Sequence, residues 1–256
     1  MSQLMKRSFV PVDKLVQEPY SGILGYPRAT KKQLALRVAE LQKLGVSGVS
    51  FDGSMAIGTV NVLGKGYAGI VVLAKKGTRL VALKIRRTDS PRKTMERETT
   101  LLQAANRVGV GPILLHSSKN FIVMEYLDGK KIFDWTAGLK GKGSASELKS
   151  VIKKVLSDCY RLDAAGLDHG ELSNITKHVI VGKSIKMIDF ESSSLDRRVS
   201  NVTSATQAIF IGSGLARIVQ KIYSVPPRPK IITALREYKK HRTQESFDNV
   251  LKTLKL

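Results

Sequence analysis

The spacing of apolar residues predicts different elements in the two halves of the chain. Between residues 57 and 87, three β-branched runs, TVNVL, GIVVLA and RLVALKI, are separated by the glycine-containing stretches LGKGYA and KKGT. This pattern is typical of an antiparallel meander, because short apolar runs bounded by turn residues form paired strands. The later run FIVMEYL predicts one more, buried strand. The first half of the chain is therefore predicted to be rich in β-structure.

Helical periodicity lies on both sides of this region. Before it, Thr30 and Gln33 form a capping box at the start of a helix that Gly45 ends, and about the first twenty residues, which show little periodicity, predict an arm. After it, RKTMERETTLLQAANRV predicts a helix, and Ser144 opens a long one. Two short strands, HVIV and SIKMI, interrupt the second half. The stretch SATQAIFIGSGLARIVQKIY and the two segments after PPRP are then predicted to be helical.

These patterns predict an α+β fold in three parts. Residues 1–54 form an N-terminal extension with one helix, and residues 55–126 form a lobe built on an antiparallel sheet. Residues 127–256 form a small helical lobe with a basic tail. A block of strands followed by a block of helices favours two lobes, which are joined near residues 125–130.

Composition adds a strong positive charge to this picture. The chain carries 43 Lys and Arg residues against 21 Asp and Glu residues, a formal net charge of +22. Such an excess attracts polyanions, whether nucleotides, nucleic acids or acidic proteins, and it equally serves solubility. The single cysteine, Cys159, falls on an apolar helical stripe and predicts a buried thiol. With no bilayer-spanning apolar run and no signal-peptide pattern, the sequence predicts a cytoplasmic protein without a membrane partner.

A glycine-rich turn joins the first two runs of the meander. It fits the pattern G-x-G-x-x-G-x-V, and its residues are Gly64, Lys65, Gly66, Tyr67, Gly69 and Val71. Glycines let the backbone approach phosphate groups closely and direct N–H groups at them. A Rossmann turn would need a helix directly after the glycines, whereas GIVVLA continues as a strand. The pattern therefore favours a phosphate-holding hairpin, with a plain glycine turn as the alternative.

The run VALK ends in Lys84, a lysine predicted to lie in a buried strand. Because an isolated buried ammonium group is costly, this side chain needs an anion, either the phosphates of a nucleotide or a carboxylate. In the next helix Glu98 precedes Leu102 by four residues, so both share the inward face. Glu96 lies further round the helix and is the lesser candidate.

The order of glycine hairpin, V-A-x-K and acidic helix resembles the N-terminal lobe of eukaryotic-like protein kinases. The resemblance implies that Lys84 pairs with Glu98, and that the glycine hairpin and Ala82 bind ATP. The string MEYL resembles the kinase hinge, whose backbone groups read the adenine edge. The implied ATP-binding residues of the hinge are Met124, Glu125 and Tyr126.

In the second half, the strings HGEL and IDFE resemble the catalytic H-R-D-L and metal-binding D-F-G elements of kinases. The resemblance implies that Asp189 binds Mg²⁺ or Mn²⁺, since a hard cation prefers carboxylate oxygen, and that Glu171 replaces the usual Asp as catalytic base. The glycine of D-F-G is replaced by Glu191. That residue is a metal ligand, a partner for Lys177 or a lock that holds Asp189.

The second metal ligand of kinases, an Asn, is missing at its usual spacing. Thr176 stands there by strict count, His178 stands there if two residues are inserted, and Asn174 is a third candidate. An imidazole suits Mn²⁺ better than Mg²⁺. In the alternative interpretation, His178 only packs or hydrogen-bonds to Glu171.

No A-P-E signal and no long activation segment follow IDFE. In this respect the chain resembles the minimal atypical kinases: the RIO family, the kinase of the tRNA-threonylcarbamoyl complex and the lipopolysaccharide kinases. It is most similar to a prokaryotic group of predicted Ser/Thr kinases with LGKGxxGIV, HG[EQ]…KHVIV and IDFES, over residues 57 to 195. The resemblance implies a bilobal kinase fold and an atypical Ser/Thr protein kinase that uses ATP and Mg²⁺ or Mn²⁺, with a protein substrate and autophosphorylation.

Two alternatives stay open. The altered base, the altered Asn and the charge of +22 favour a nucleotide-binding scaffold or weak ATPase in a nucleic-acid or ribosome-associated assembly. Its basic run Lys239–Arg242 would bind nucleic acid or another polyanion, although few aromatic residues in the tail could stack on bases. The other alternative is a small-molecule kinase, for which the short second lobe offers little material.

Overall fold

The computed structural model describes residues 7–256, and it is a mixed α/β protein with 46% helix and 21% strand. Residues 1–6, the beginning of the predicted arm, lie outside the described residues. The chain divides into two compact units. The first comprises the residues up to Thr100 together with Ile113–Tyr126, and the second comprises Leu101–Pro112 together with Leu127–Leu256.

The first unit is built on an antiparallel sheet. Its strands are β1 (Val10–Pro11), β2 (Val46–Ser50), β3 (Met55–Ile57), β4 (Val60–Val62), β5 (Gly64–Lys65), β6 (Gly69–Lys76), β7 (Arg79–Arg86), β8 (Leu114–Ser117) and β9 (Phe121–Glu125). Its helices are α1 (Ser21–Leu24), α2 (Lys31–Lys43) and the beginning of α3 (Glu96–Arg107). The main sheet has the order β1-β2-β6-β7-β9-β8, β5 pairs with β6, and β3 and β4 form a separate hairpin.

The N-terminal extension packs into the core of this unit. Thr30 and Gln33 form the predicted capping box at the start of α2, and α2 buries Leu34 and Leu41 against the sheet. The segment predicted to be an arm contains a 3-10 turn, Val12–Val16, whose apolar side chains join the same core. Extension and sheet therefore bury one continuous set of apolar side chains.

The strands of the first unit differ from the sequence-based prediction in several places, because β1, β2, β3 and β8 were not predicted. VSGVS was not predicted as a strand because its glycine and serines are typical of loops, yet it forms β2 and pairs with β6. A side chain at Gly48 would meet the Val10 backbone oxygen at 3.2 Å, so glycine permits the close approach of β1. Within the run TVNVL, β4 pairs with β3, and contact with GIVVLA begins at Leu63 and continues through β5 in the main sheet.

The second unit is mainly helical. Its helices are the rest of α3, α4 (Ile132–Ala137), α5 (Ser144–Ala164), α6 (Ile175–His178), α7 (Asn201–Phe210), α8 (Gly214–Ile222), α9 (Arg228–His241) and α10 (Gln244–Thr253). A small antiparallel sheet contains β10 (Gly129–Lys131), β11 (Val179–Gly182) and β12 (Ile185–Met187) in that order. Cys159 is fully buried in α5, as its apolar stripe predicted.

A buried carboxylate connects the helices of this unit. Asp163 accepts hydrogen bonds from the backbone N–H groups of Asn201 and Val202, from the Asn201 side chain and from the Tyr238 hydroxyl. Asn201 in turn accepts a hydrogen bond from the backbone N–H of His169 at 2.8 Å. This network joins α5, α7 and α9 to the segment that begins at His169, and so fixes the position of the HGEL residues.

The helical stretch predicted after residue 200 is broken in two. Gly212 adopts φ +71°, and the Ser213 side chain caps α8 by accepting a hydrogen bond from Ala216 N–H. Within residues 7–256, no single helix is long and apolar enough to cross a membrane, although the bent pair α7 and α8 together meets that test by length and composition.

Candidate functional site

The residues predicted to be functional form two clusters, one in each unit. In the first unit, β5 and the start of β6 form the glycine hairpin, with Gly64 opposite Val71 and Lys65 opposite Ile70. The turn is closed by a hydrogen bond of 2.8 Å from Gly66 N–H to the Gly69 oxygen. This places Tyr67 at the tip, where 70% of it is exposed.

Gly69 lies directly against the side chain of Lys84. A methyl group at Gly69 would meet the Cγ and Cε atoms of Lys84 at 3.0 Å and the Ile85 backbone oxygen at 3.1 Å. A methyl group at Gly64 would have nothing within 4 Å. Gly69 is therefore required by its close packing on Lys84, whereas Gly64 is not required by packing.

Lys84 forms the ion pair with Glu98 that the kinase resemblance implied. Its Nζ atom lies 2.5 Å from Oε1 of Glu98, and the two side chains are 5% and 8% exposed. Lys84 is central in β7, between residues of β6 and β9, and Glu98 lies in the first turn of α3. In such a dry site the attraction between opposite charges is much stronger than in water, so the pair fixes the direction of the lysine side chain.

The N-terminal extension contacts the glycine hairpin through Tyr26, a residue that sequence reasoning missed. The Tyr26 hydroxyl lies 2.5 Å from Lys65 Nζ, which also lies 4.5 Å from the centre of the ring. The Arg87 guanidinium is 5.3 Å from the same ring centre and donates to the Gly66 oxygen at 3.3 Å. Thr88 holds the Tyr26 segment by donating its N–H to the Tyr26 oxygen at 2.7 Å. Two cations beside the hairpin are thus held on one aromatic ring.

The predicted hinge residues lie at the end of β9. Met124 pairs with Ala82 of β7, and Glu125 receives the Ile113 N–H on its carboxylate at 3.1 Å. Tyr126 follows the strand, and its hydroxyl accepts a hydrogen bond from Arg7. Ala82 is buried, and Met124 and Tyr126 are partly buried.

The second unit brings Glu171, His178 and Asp189 together. One ligand atom from each of these residues lies within 4.8 Å of the other two. His178 Nε2 lies 2.9 Å from Glu171 Oε2, and the Ser192 hydroxyl donates to Glu171 Oε1 at 2.5 Å. Glu171 precedes the 3-10 turn Leu172–Asn174, His178 ends α6, and Asp189 follows β12, so three short elements converge.

Asp189 has an unusual backbone conformation. Its φ and ψ are 70° and 73°, in the left-handed region that non-glycine residues rarely occupy. Such conformations cost on the order of 1–3 kcal/mol and persist at functional sites where the surroundings impose them. The hydrogen bond from Ile188 N–H to the His178 oxygen, 2.9 Å long, fixes the chain immediately before this residue.

His178 and the neighbouring His169, whose ring centres are 5.3 Å apart, are biased toward their neutral forms. Burial lowers the pKa of His178, while the Asp189 and Glu171 carboxylates oppose that shift. Burial, with help from His178, lowers the pKa of His169 to about 4. Burial also lowers the pKa of the Lys131 ammonium group, and Asp189 opposes this. A neutral imidazole has a lone pair for a cation, so the environment favours the state that can bind metal.

The donors of the cluster fit a divalent cation. One imidazole nitrogen and two carboxylate oxygens suit Mn²⁺ and other transition metals better than Mg²⁺. With bonds of about 2.1 Å, ligand atoms roughly 3–4 Å apart can share one ion, so separations up to 4.8 Å need only small adjustments. The His178–Glu171 contact also matches the alternative interpretation, in which the histidine hydrogen-bonds to the glutamate.

The other proposed ligands are placed differently. Asn174 is exposed and its side-chain oxygen accepts a hydrogen bond from Thr176 at 2.9 Å. Glu191 is buried inside the turn Phe190–Ser192, whereas Lys177 is exposed. Among the candidates for the missing Asn, His178 has a ring nitrogen within 4.8 Å of an Asp189 carboxylate oxygen.

The basic tail provides a separate, exposed feature of the second unit. Lys239, Lys240 and His241 lie on the surface in the last turn of α9, and His241 pairs with Glu237 at 3.0 Å. Arg198 donates to the Lys239 oxygen at 3.4 Å, which adds another cation to this surface.

Comparison with known proteins gives no family for the chain. A scan against protein-family models produces no match, and a search of curated proteins produces none either. The geometry of the two clusters therefore provides the observations that bear on function.

Proposed function

We propose that the two units are the lobes of a protein-kinase-like fold, and that the protein is an atypical Ser/Thr kinase dependent on ATP and a divalent metal. The observation that carries this proposal is the buried Lys84–Glu98 pair, 2.5 Å long, beneath a glycine hairpin. A lysine held in this way by a carboxylate is the arrangement by which kinases orient a cation toward nucleotide phosphates.

The first unit supplies the nucleotide-binding groups in this proposal. Backbone N–H groups of the glycine hairpin and the ammonium group of Lys84 bind the phosphates, and Glu98 orients Lys84. Hinge residues from Met124 to Tyr126 border the adenine. The packing of Gly69 on Lys84 supports this assignment, because a larger residue would displace the lysine.

The second unit supplies the chemistry. Asp189 and His178 would hold the metal, which when bound neutralises the charge that develops on the phosphoryl group. Glu171 accepts hydrogen bonds through both carboxylate oxygens, which fixes its orientation. It orients the acceptor hydroxyl and takes its proton. Positioning and charge stabilisation are most of what phosphoryl transfer requires, so a glutamate can replace the usual aspartate.

Substitution of Glu171 tests this function. Transfer of labelled γ-phosphate from ATP to a generic basic protein should fall by roughly 10²- to 10⁴-fold in Glu171→Gln, because the amide keeps the shape but cannot accept the proton. Glu171→Asp should retain part of the activity, and both variants should still bind ATP. Lys75→Met, which removes an exposed lysine of β6, is the control that should match wild type. Wild-type turnover that is indifferent to Glu171→Gln contradicts the mechanism.

The exposed cations of α9 favour one alternative function, a nucleotide-binding scaffold that binds a polyanion. In that case the wild-type protein would transfer no phosphate with either metal. Binding to RNA or heparin would fall steeply with salt, because bound cations release counterions from the polyanion, and it would weaken in a Lys239→Ala/Lys240→Ala variant.

A further inference from the structure

A serine of the chain itself occupies the place of an acceptor hydroxyl. Ser192 Oγ donates to Glu171 Oε1 at 2.5 Å, and Ser192 ends the 3-10 turn that directly follows Asp189. A general base must lie within hydrogen-bond reach, no more than about 3.2 Å, of the group whose proton it takes. The serine hydroxyl and the proposed base meet this condition without any rearrangement.

We propose that Ser192 is phosphorylated in cis by the protein itself, an inference that rests on the proposed kinase function. In this step Ser192 Oγ forms a bond to the γ-phosphorus of ATP. The bond between that phosphorus and the β–γ bridging oxygen breaks, and ADP leaves. The hydroxyl proton passes to the Glu171 carboxylate. The products are phosphoserine, ADP and one proton, so no further reactant is needed.

The arrangement around Glu171 supports this assignment. The structural sign of an activated hydroxyl is a base within hydrogen-bond reach of it, and this base is in turn oriented by a third group. Ser192, Glu171 and His178 form such a series, because His178 Nε2 lies 2.9 Å from the second carboxylate oxygen of Glu171. The base is therefore aimed at the serine by a neighbouring side chain.

Arg197, which forms an ion pair with the buried Asp168 carboxylate at 2.5 Å, also lies beside the backbone of Ser192. Arg197 Nη2 donates to the Ser192 backbone oxygen at 3.0 Å, and about half of the arginine side chain is exposed. Gly170 leaves room for this guanidinium, since a methyl group there would come within 2.3 Å of Arg197 Nη2. A phosphate on Ser192 would be repelled by Glu171 and attracted by Arg197. Modification would thus release the base from the serine.

Phosphosite mapping tests the proposal. Purified protein is incubated with ATP and Mn²⁺ or Mg²⁺ beside a generic basic protein, and mass spectrometry measures the phosphorylated fraction at Ser192. We expect this fraction to rise as a first-order process whose rate constant is independent of protein concentration. The rate constant should be roughly 10²- to 10⁴-fold lower in Glu171→Gln. Ser192→Ala should remove the modified peptide. Ser173→Ala, which removes an exposed serine two residues after Glu171, should leave it unchanged.

The outcomes separate this inference from the function beneath it. Phosphorylation of the basic protein with Ser192 unmodified overturns the inference and leaves the kinase assignment intact. A Ser192 phosphorylation rate proportional to protein concentration shows transfer between molecules and overturns the cis step. An absence of transfer to any acceptor, by protein that binds ATP, overturns the kinase function and the inference together.

Discussion

Removal of the Lys84 ammonium group should destabilise the first unit more than an ordinary lysine substitution. In Lys84→Met the Glu98 carboxylate loses a partner at 2.5 Å while its side chain stays 8% exposed. Breaking a buried ion pair from one side typically costs about 3–5 kcal/mol, because the remaining charge has been removed from water. The double variant Lys84→Met/Glu98→Gln removes both charges and should recover roughly 1–3 kcal/mol of this loss.

Hydrogen exchange can assign the effect to the right unit. Amides of β7 and α3 that exchange only on unfolding of the first unit should exchange roughly 10²- to 10⁴-fold faster in Lys84→Met, since each 1.4 kcal/mol corresponds to a factor of ten. Amides of α5 in the second unit serve as an internal reference. The matched control is Lys75→Met in the neighbouring strand. It should change the free energy of unfolding obtained from exchange by less than about 0.5 kcal/mol, because the side chain is exposed.

Either of two results would refute this reasoning. One is a decrease of less than about 1 kcal/mol in the free energy of unfolding of Lys84→Met, because exposed ion pairs contribute that little. The other is a double variant that is less stable than the single one, because then the two charges do not compensate each other. Either result would mean that the charges of Lys84 and Glu98 do not stabilise each other in the folded protein.

Three further predictions follow from the two clusters. Gly69→Ala should weaken ATP binding by displacing Lys84, measured by calorimetry, whereas Gly64→Ala should match wild type. His178→Ala should weaken Mn²⁺ binding more than Mg²⁺ binding, where electron paramagnetic resonance measures bound Mn²⁺ directly and Mg²⁺ by its competition with Mn²⁺. Equal effects on the two metals would show that the histidine is structural. Burial lowers the pKa of the His169 imidazole from 6.5 to about 4. As the pH falls, the imidazole therefore takes up a proton in the unfolded chain before it does so in the folded chain, and this favours unfolding. Denaturant titrations should therefore show about 3 kcal/mol of stability lost between pH 6.5 and 4, and His169→Gln should lose less.

Sequence reasoning succeeded where local patterns determine structure. The strands that contain Lys84 and Met124, the capping box at Thr30 and the long helix that buries Cys159 all follow from periodicity and turn residues. For Lys84 the residues alone left two anions open, the phosphates of a nucleotide or a carboxylate of the next helix, and it was the kinase resemblance that implied the pair with Glu98.

Other features depend on contacts that no local pattern reveals. The strand at residues 46–50 is recognisable only from its pairing with β6 across the sheet. Tyr26 gives no sequence signal, since its role depends on two cations that lie far along the chain. Likewise Ser192 is one of three consecutive serines, and only the fold shows that its hydroxyl reaches Glu171.

The pairing of β2 with β6 has a practical consequence for anyone who wants a smaller fragment of this protein. A form that starts after residue 54, at the end of the N-terminal extension predicted from the sequence, would lack β2 and expose the backbone of residues 73–76 in β6. Open strand edges recruit other strands, so such a fragment should associate and precipitate. It would also lose the Val12, Leu15 and Leu41 side chains that cover the sheet. A shortened form should therefore keep everything from β1 onward.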